Sequence, residues 1–478
     1  FVVSPWISGG LERSGMEIRK KFFGAVVPSV LAFALSGVYA IVDGFFIGNC
    51  VGDNGLAAIN LAYPVTAFLQ ALGTGIGMGG SVRFSIAAGQ GDLPAQRRYF
   101  SLTLAMLALA GLACTLALLP LCRPLLVLLG ARAELLGPSQ DYLGCIALGA
   151  AFQVLGTGIA PLIRNLGGAV WAMVAMIGGF VTNILLDWHF IYNLGLGMKG
   201  AALATVLGQG VTALLCGLRL LRCRQFFTRR FAGRALFWAR GILLVGVSPF
   251  GLTFSPNLVL ILMNRSAMNW GGAQAVAQYA AISYLTCIVL MLLQGVGDGS
   301  QPLMSWCSGQ RDSGALSRVC RLAYSFAGCT VLAACTLLYL VRYQAPLFFG
   351  ASEPVARAAG GALPLFLLGL FCAAFLRVLT SRFYATGANG RAYLLIYGEP
   401  LFLALLLAAL PRVFGLWGVW AAAPLSQLLA AALGALLALV SQPAALRSGI
   451  RAERWVAAAC LVGRRRLRLA LRRVRRFG

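Results

Sequence analysis

Apolar residues in this chain run in blocks, not in stripes. Residues 26–47, 102–121, 170–191 and 413–440 are blocks of 18 or more residues with few charges. A bilayer core takes about 20 helical residues to cross. Backbone groups in lipid must pair internally, so such blocks form helices. β-Barrel strands are shorter and alternate in polarity, which these blocks do not. Twelve spans are predicted: 22–47, 56–88, 98–121, 139–163, 169–192, 201–221, 240–264, 275–308, 318–341, 359–386, 392–411 and 416–441.

The pattern repeats at an offset of 220 residues. Gly75, Gly77 and Gly79, then Gly89-Gln90 and Asp92, return as Gly295, Gly297 and Gly299, then Gly309-Gln310 and Asp312. Gly167 matches Gly387, and Gly195-Leu196 with Ala201-Ala202 matches Gly415-Leu416 with Ala421-Ala422. Matched stretches at one offset mean a duplicated unit. In a chain this apolar, duplication points to a transporter built from two related halves. Six spans per half is an even number, so both halves enter the membrane from the same side. The organisation expected is an N-terminal segment 1–21, a first lobe 22–221, a basic linker 222–239, a second lobe 240–441 and a basic tail 442–478.

Composition agrees: 60% of residues are hydrophobic and 11% charged, against roughly a quarter charged in soluble domains. The net charge of +26 would suggest nucleic acid in a soluble protein, but its distribution points to topology. Arg219, Arg222, Arg224, Arg229, Arg230 and Arg234 crowd the linker, and Arg464, Arg465, Arg466, Arg472, Arg473, Arg475 and Arg476 the tail. Arg97, Arg98, Arg311, Arg318 and Arg321 fall in loops of the same parity, while the opposite loops hold isolated bases such as Lys199, Arg265 and Arg412. The positive-inside rule puts the linker and both termini in the cytoplasm. The tail then meets anionic lipid, and nucleic acid is no partner. Residues 1–15 lack the apolar region of a secretory signal, and Met16 before Arg19-Lys20-Lys21 reads as a natural start. The thirteen cysteines form no CxxC pair or Cys/His cluster, so neither a disulfide framework nor a zinc site is expected.

Four acids sit inside apolar spans: Asp43, Asp187, Asp298 and Glu399. A charge at the bilayer centre costs about 2.5–3.5 kcal/mol on insertion scales, so such groups face the interior and serve a purpose. Burial favours protonation, and a bound Na⁺ favours the ionised form. Depth follows from the helical rise of about 1.5 Å per residue. By that measure Asp43, Asp187 and Thr205 share one level toward the outer side. Asn183 stands one turn from Asp187, and Tyr39 one turn from Asp43. Two carboxylates, an amide and hydroxyls suit Na⁺ or a protonatable pair. Asp298 falls near mid-depth and Glu399 in the inner half, apart from that level. Asp43 faces Met263 across the repeat and Asp187 faces Leu407, so the halves have diverged in their polar chemistry.

At these residues the chain resembles the multidrug and toxic compound extrusion family of antiporters. The stretch Tyr39-Ala-Ile-Val-Asp43-Gly-Phe-Phe-Ile-Gly48 resembles the family's first helix. Asn60 to Pro64 and Gly89 to Asp92 resemble its second helix and the following loop. Asn183-Ile-Leu-Leu-Asp187 with Phe190-Ile191 resembles the fifth, Gly200 to Thr205 with Gln209 the sixth, and Gly295 to Pro302 the eighth. The resemblance covers residues 20–441. It implies an all-α membrane protein of twelve helices, in two pseudo-symmetric six-helix lobes around a central cavity. It implies a cation-coupled exporter of the prokaryotic branch, in the inner (plasma) membrane of a bacterial cell. Its ion site would be carried by Asp43, Asn183, Asp187 and Thr205, with Tyr39 nearby, and the ion would be H⁺ or Na⁺. A second-lobe polar site at Asp298 and Glu399 has approximate counterparts in some relatives.

No cofactor is expected beyond the coupling ion, and the chain is expected to act as a monomer on small organic, amphipathic, cationic compounds. Aromatic residues lining a cavity would attract such cations. The glycines at 73–80 are not a phosphate loop, since no strand precedes them and no Lys-Ser/Thr pair follows. His189 reads as an interfacial polar residue. An intramembrane enzyme lacks a constellation. A lipid-linked oligosaccharide flippase is the other reading; it would want Arg164, Arg377 and Arg382 to hold a pyrophosphate, and these are expected at the cytoplasmic mouth.

Overall fold

The computed structural model describes residues 15–440, apart from 51–52, 130, 132, 229–233 and 349–351. In chain order the α-helices are α1 (Gly15–Cys50), α2 (Asp53–Gly89), α3 (Leu93–Leu128), α4 (Ala133–Leu148), α5 (Ala150–Asn165), α6 (Ala169–Asp187), α7 (Gly197–Leu221), α8 (Ala235–Gly309), α9 (Ser313–Leu340), α10 (Ala345–Phe348), α11 (Glu353–Ala385), α12 (Asn389–Phe414) and α13 (Leu416–Val440). Residues up to Ala431 form one compact unit; from Ala432 the last helix continues to Val440. The tail, and Arg229 and Arg230 of the linker, lie outside the described residues.

Nine of these helices are long and apolar enough to cross a membrane, and the pair α4–α5 adds a tenth as one span bent by 57°. Two local features separate this from an unbroken run of rods. Gly149 breaks the fourth span, and a Cβ there would collide with Val206 of α7. The seventh and eighth spans are two helical arms within Ala235–Gly309 that follow one another directly across a kink. The kink falls at Gly272, whose φ of 67° and ψ of −162° suit glycine alone. Counted as two arms around Gly272, and with the 37-residue α2, the described helices give the twelve spans of the sequence.

The repeat holds at the level of single bonds. Asp92 caps α3 by accepting from the Ala95 amide at 2.9 Å, and Asp312 caps α9 by accepting from Ala315 at 2.8 Å. A side-chain acceptor satisfies an amide that the first helical turn leaves unpaired. Residues Gly91 and Arg311 just before these caps both have positive φ, 74° and 58°.

The repeated glycines form two seams between the halves. A Cβ at Gly75 would stand 3.0 Å from Phe250, and one at Gly79 would strike Ile242 and Gly246. Across the repeat, a Cβ at Gly295 would stand 2.6 Å from Cα of Val30, and one at Gly299 2.7 Å from Cα of Val26. Val26 and Val30 are the 220-offset equivalents of Gly246 and Phe250. One seam joins α2 to the first arm of α8; the other joins α1 to the second arm. Gly89 and Gly309 meet where the seams converge. Arg83 adds a bond across, its Nε donating to Gly241 O at 3.1 Å. Small residues permit such backbone approach, on which packing between helices in lipid depends. The seams run toward the turns at 90–92 and 310–312, on the side where Phe226 and Thr228 bond to Ser101 of α3, called the linker side below. The opposite ends of the spans form the far side.

Packing yields two cores. One gathers Leu69, Phe84, Phe100, Leu107, Leu143, Ile146, Leu162 and their neighbours from α2 to α7. The other gathers Met263, Ile282, Leu293, Leu363, Leu403 and Trp420 from α8 to α13. Ile18, Phe22 and Val26 of α1 belong to this second core. The N-terminal part of α1 thus packs on the second half, and Tyr39 further along stacks on Phe180 of α6. Among the described residues the cysteines are free thiols.

Candidate functional site

Asn183 and Asp187 lie one turn apart at the far-side end of α6, where the helix widens into a π turn at Trp188–Asn193. Both are buried, 2% and 0% exposed, within an apolar span. Oriented to satisfy its neighbours, the Asn183 amide donates to Oδ2 of Asp187 at 3.0 Å and accepts from the Thr205 amide at 3.0 Å. The Thr205 hydroxyl lies 3.4 Å from the same end of that amide. The close approach of α6 to α7 that allows this rests on two glycines. A Cβ at Gly208 would stand 3.0 Å from Asn183 Cβ, and one at Gly179 would strike Thr212.

Tyr39 reaches this region from α1. Its ring stacks on Phe180 with centroids 4.9 Å apart and planes at 7°. Phe180 precedes Asn183 by less than a turn on α6. Asp43 lies on α1, four residues beyond Tyr39; its side chain is outside the described residues. His189 is exposed on the π turn.

The second half holds a different polar structure. Asp298 is buried, 2% exposed. Its Oδ1 accepts from Gln294 at 2.8 Å, and its Oδ2 lies 3.6 Å from the Arg164 guanidinium. Gln294 in turn accepts from Arg377 at 2.8 Å. Arg377 lies within electrostatic reach of both Asp298 and Glu399, and Glu399 shares a hydrogen bond with Gln427. Buried charges are tolerated only when paired in this way. The sequence treats Arg164 and Arg377 as residues of the cytoplasmic mouth. The structure buries Arg164 between Asp298 and the ring of Phe33. Arg377 stands eight residues before the end of its helix at Ala385, about 12 Å inside at the helical rise. That spacing was the signal to read.

Next to Arg164, Asn165 bridges the halves. It accepts from Ser85 at 2.6 Å and donates to Gln301 at 2.9 Å, while Gln301 donates to Ser305 at 2.8 Å. All four side chains are buried. The repeat marks only half of this clasp: Ser85 and Ser305 are equivalents at the 220-residue offset, whereas Asn165 and Gln301 correspond to Ala385 and Ser81.

Among the described residues, no three His, Cys or acidic side chains gather as for a transition metal. The first site offers a carboxylate, an amide and a hydroxyl, donors that fit a hard monovalent cation.

The MatE family model matches residues 28–189 and 252–398, one stretch in each half. The chain is 24% identical over 404 residues to the multidrug export protein MepA of Staphylococcus saprophyticus, covering 82% of this chain and 87% of that protein. It is 24% identical to MepA of Staphylococcus haemolyticus over 406 residues, 84% and 89% of the two chains. The fold is similar to that of a multidrug resistance MATE family transporter of the MOP superfamily in an outward-facing conformation. The TM-score is 0.82 at 24% identity, over 88% of this chain and 95% of that one. It is also similar to MATE in complex with MaD5, with TM-score 0.83 and 24% identity over 91% and 97%. Twelve spans, a duplicated glycine framework and a family match in both halves make this chain a member of the MATE family, a membrane transporter and not an enzyme.

Proposed function

We propose that the chain exports amphipathic organic cations in exchange for H⁺ or Na⁺. The observation that carries this reading is a carboxylate, Asp187, buried in an apolar span with an amide and a hydroxyl at its side. The energetic cost of that placement needs a return in function. The Asn183 amide donates to Asp187 and offsets part of its negative charge. Turning the amide presents its oxygen to the carboxylate and its nitrogen to the Thr205 hydroxyl, so that carboxylate and amide oxygen face one point as Na⁺ ligands. Protonation of Asp187 is the other way to neutralise the site. In either case the charge that enters cancels a buried negative charge, and the adjoining part of α1 at Tyr39 feels the change. Asp43 on that helix supplies the second carboxylate. Rocking of the two halves about the glycine seams then exposes the substrate to the opposite side. The MepA relatives are multidrug export proteins, which supports the substrate class.

The oligosaccharide-flippase reading needs unpaired arginines. Arg164 and Arg377 instead face Asp298 and Glu399, which supports export of cations.

The test is efflux of ethidium from proteoliposomes under an imposed proton gradient and, separately, an imposed Na⁺ gradient. Efflux driven by one of them, and lost in Asp187→Asn protein that still inserts, is the expected result. Efflux in Asp187→Asn equal to wild type sinks the proposal.

A further inference from the structure

The second-half polar chain alternates in sign: Arg164, Asp298, Arg377, Glu399. It begins on α5, in the first half, and ends against α13 at Gln427. None of its members has a charged equivalent in the repeat. Arg164, Asp298, Arg377 and Glu399 correspond to Tyr384, Met78, Thr157 and Gly179. The chain is therefore an addition to the duplicated scaffold, not a remnant of it.

Its two ends differ. The Arg164–Asp298 end is buried and crosses between the halves beside the Asn165–Gln301 clasp. Glu399 at the other end is only half-buried. The crossing pair is loose: 3.6 Å exceeds a good charge-assisted hydrogen bond, and Arg164 Nε has no hydrogen-bond partner. Asp298 is thus shared between two guanidiniums, one in each half, and Gln294 bonds to both Asp298 and Arg377. Arg377 is surrounded by Glu399, Asp298, Tyr384 and Cys287. Glu399 faces Arg377 and Gln427.

From this geometry we infer that the Arg164–Asp298 pair is a lock between the halves, released when Glu399 is neutralised. While Glu399 is charged it holds Arg377, and Asp298 is left to Arg164. Once a cationic group covers Glu399, or a proton binds it, Arg377 turns its attraction to Asp298 through Gln294. The inter-half pair weakens and the linker side opens. The occupant is a monovalent cationic centre, either a proton or the charged nitrogen of a transported compound. This mechanism rests on the transporter reading but needs no ion gradient, so it can fail or stand independently of the Asp187 site.

The experiment is hydrogen–deuterium exchange on the full chain in lipid nanodiscs, read at peptides covering 80–92 and 300–312, where the glycine seams converge. Glu399→Gln should raise exchange there about tenfold, a shift of about 1.4 kcal/mol in local opening. Adding Arg377→Gln to it should return exchange to the wild-type level. Unchanged exchange in Glu399→Gln, or a double variant as open as the single one, overturns the lock. So does a rise spread equally over 197–221, which would mark general loosening. Wild-type protein gives a second reading in case Glu399→Gln does not fold. Ethidium at constant pH, or acidification without ethidium corrected for intrinsic exchange, should open the same peptides in wild type and not in Arg377→Gln. A response to ethidium identifies the compound as the occupant and a response to acid identifies the proton; a response to neither overturns the proposal.

Discussion

The two polar regions of this protein are built on opposite plans. Asn183, Asp187 and Thr205 come from two consecutive helices and lie within 22 positions of one another. The chain from Arg164 to Gln427 draws on α5, α8, α11, α12 and α13, and Asp298 reaches 134 positions back to Arg164. The first region is a compact pocket of hard oxygen donors with no balancing base among its described members. The second is charge-balanced, two guanidiniums against two carboxylates. A site lacking its counter-charge is suited to admit a cation. A balanced one is suited to hold two bodies together and to let go when one charge is cancelled. The proposed division of labour, ion reading in the first half and inter-half contact in the chain, rests on this difference.

The sharpest way to break this division is Asp187→Asn. Gradient-driven ethidium efflux should fall at least about a hundredfold, or about 2.7 kcal/mol, while membrane insertion stays intact. The same substitution at Asp298 should cost about tenfold, because it loosens a contact and leaves the ion site whole. Equal losses in the two variants would erase the comparison.

The glycine seams offer a symmetric control. Gly79→Leu and Gly299→Leu insert side chains against backbone, at Ile242 and at Val26, and overpacking costs about 1–3 kcal/mol. Melting of the detergent-solubilised protein should drop by a similar amount in each. A loss confined to one of them would show that the two seams are not equivalent.

Smaller effects refine the proposed ion site. Thr205→Ala removes one oxygen donor while Asn183 keeps the Thr205 backbone amide. The concentration of coupling ion at half-maximal efflux should rise about fivefold, the scale of one lost hydrogen-bond-strength contact. His189→Ala, on the exposed π turn, should change efflux less than about twofold, as surface substitutions do.

The first site was legible because its signals are local. A carboxylate in an apolar run, with an amide at i−4 and a small-residue helix following, needs no fold to be noticed. The second was half legible. Asp298 and Glu399 stand out as acids in lipid, but their partners are far away in sequence. Arg164 lies at a span end and Arg377 further inside its own, and both read as mouth residues until packing sets Arg164 of α5 and Arg377 of α11 against α8. Gln294, Asn165, Gln301 and Gln427 carry no signal of their own, since an uncharged amide in a span is unremarkable without its neighbour.

By itself the sequence determined the membrane class, the twelve spans, the duplication and the candidate ion-site residues. These follow from apolar block length, glycine spacing and the cost of charge in lipid, all properties of short segments. Tertiary structure decided how the halves meet. It put the N-terminal part of α1 in the second core, joined the seventh and eighth spans through Gly272, and set Arg164 against Asp298. Those outcomes depend on which helix faces approach, and glycine permits approach without specifying the partner. A guanidinium and a carboxylate 134 positions apart meet only after all the intervening helices have packed.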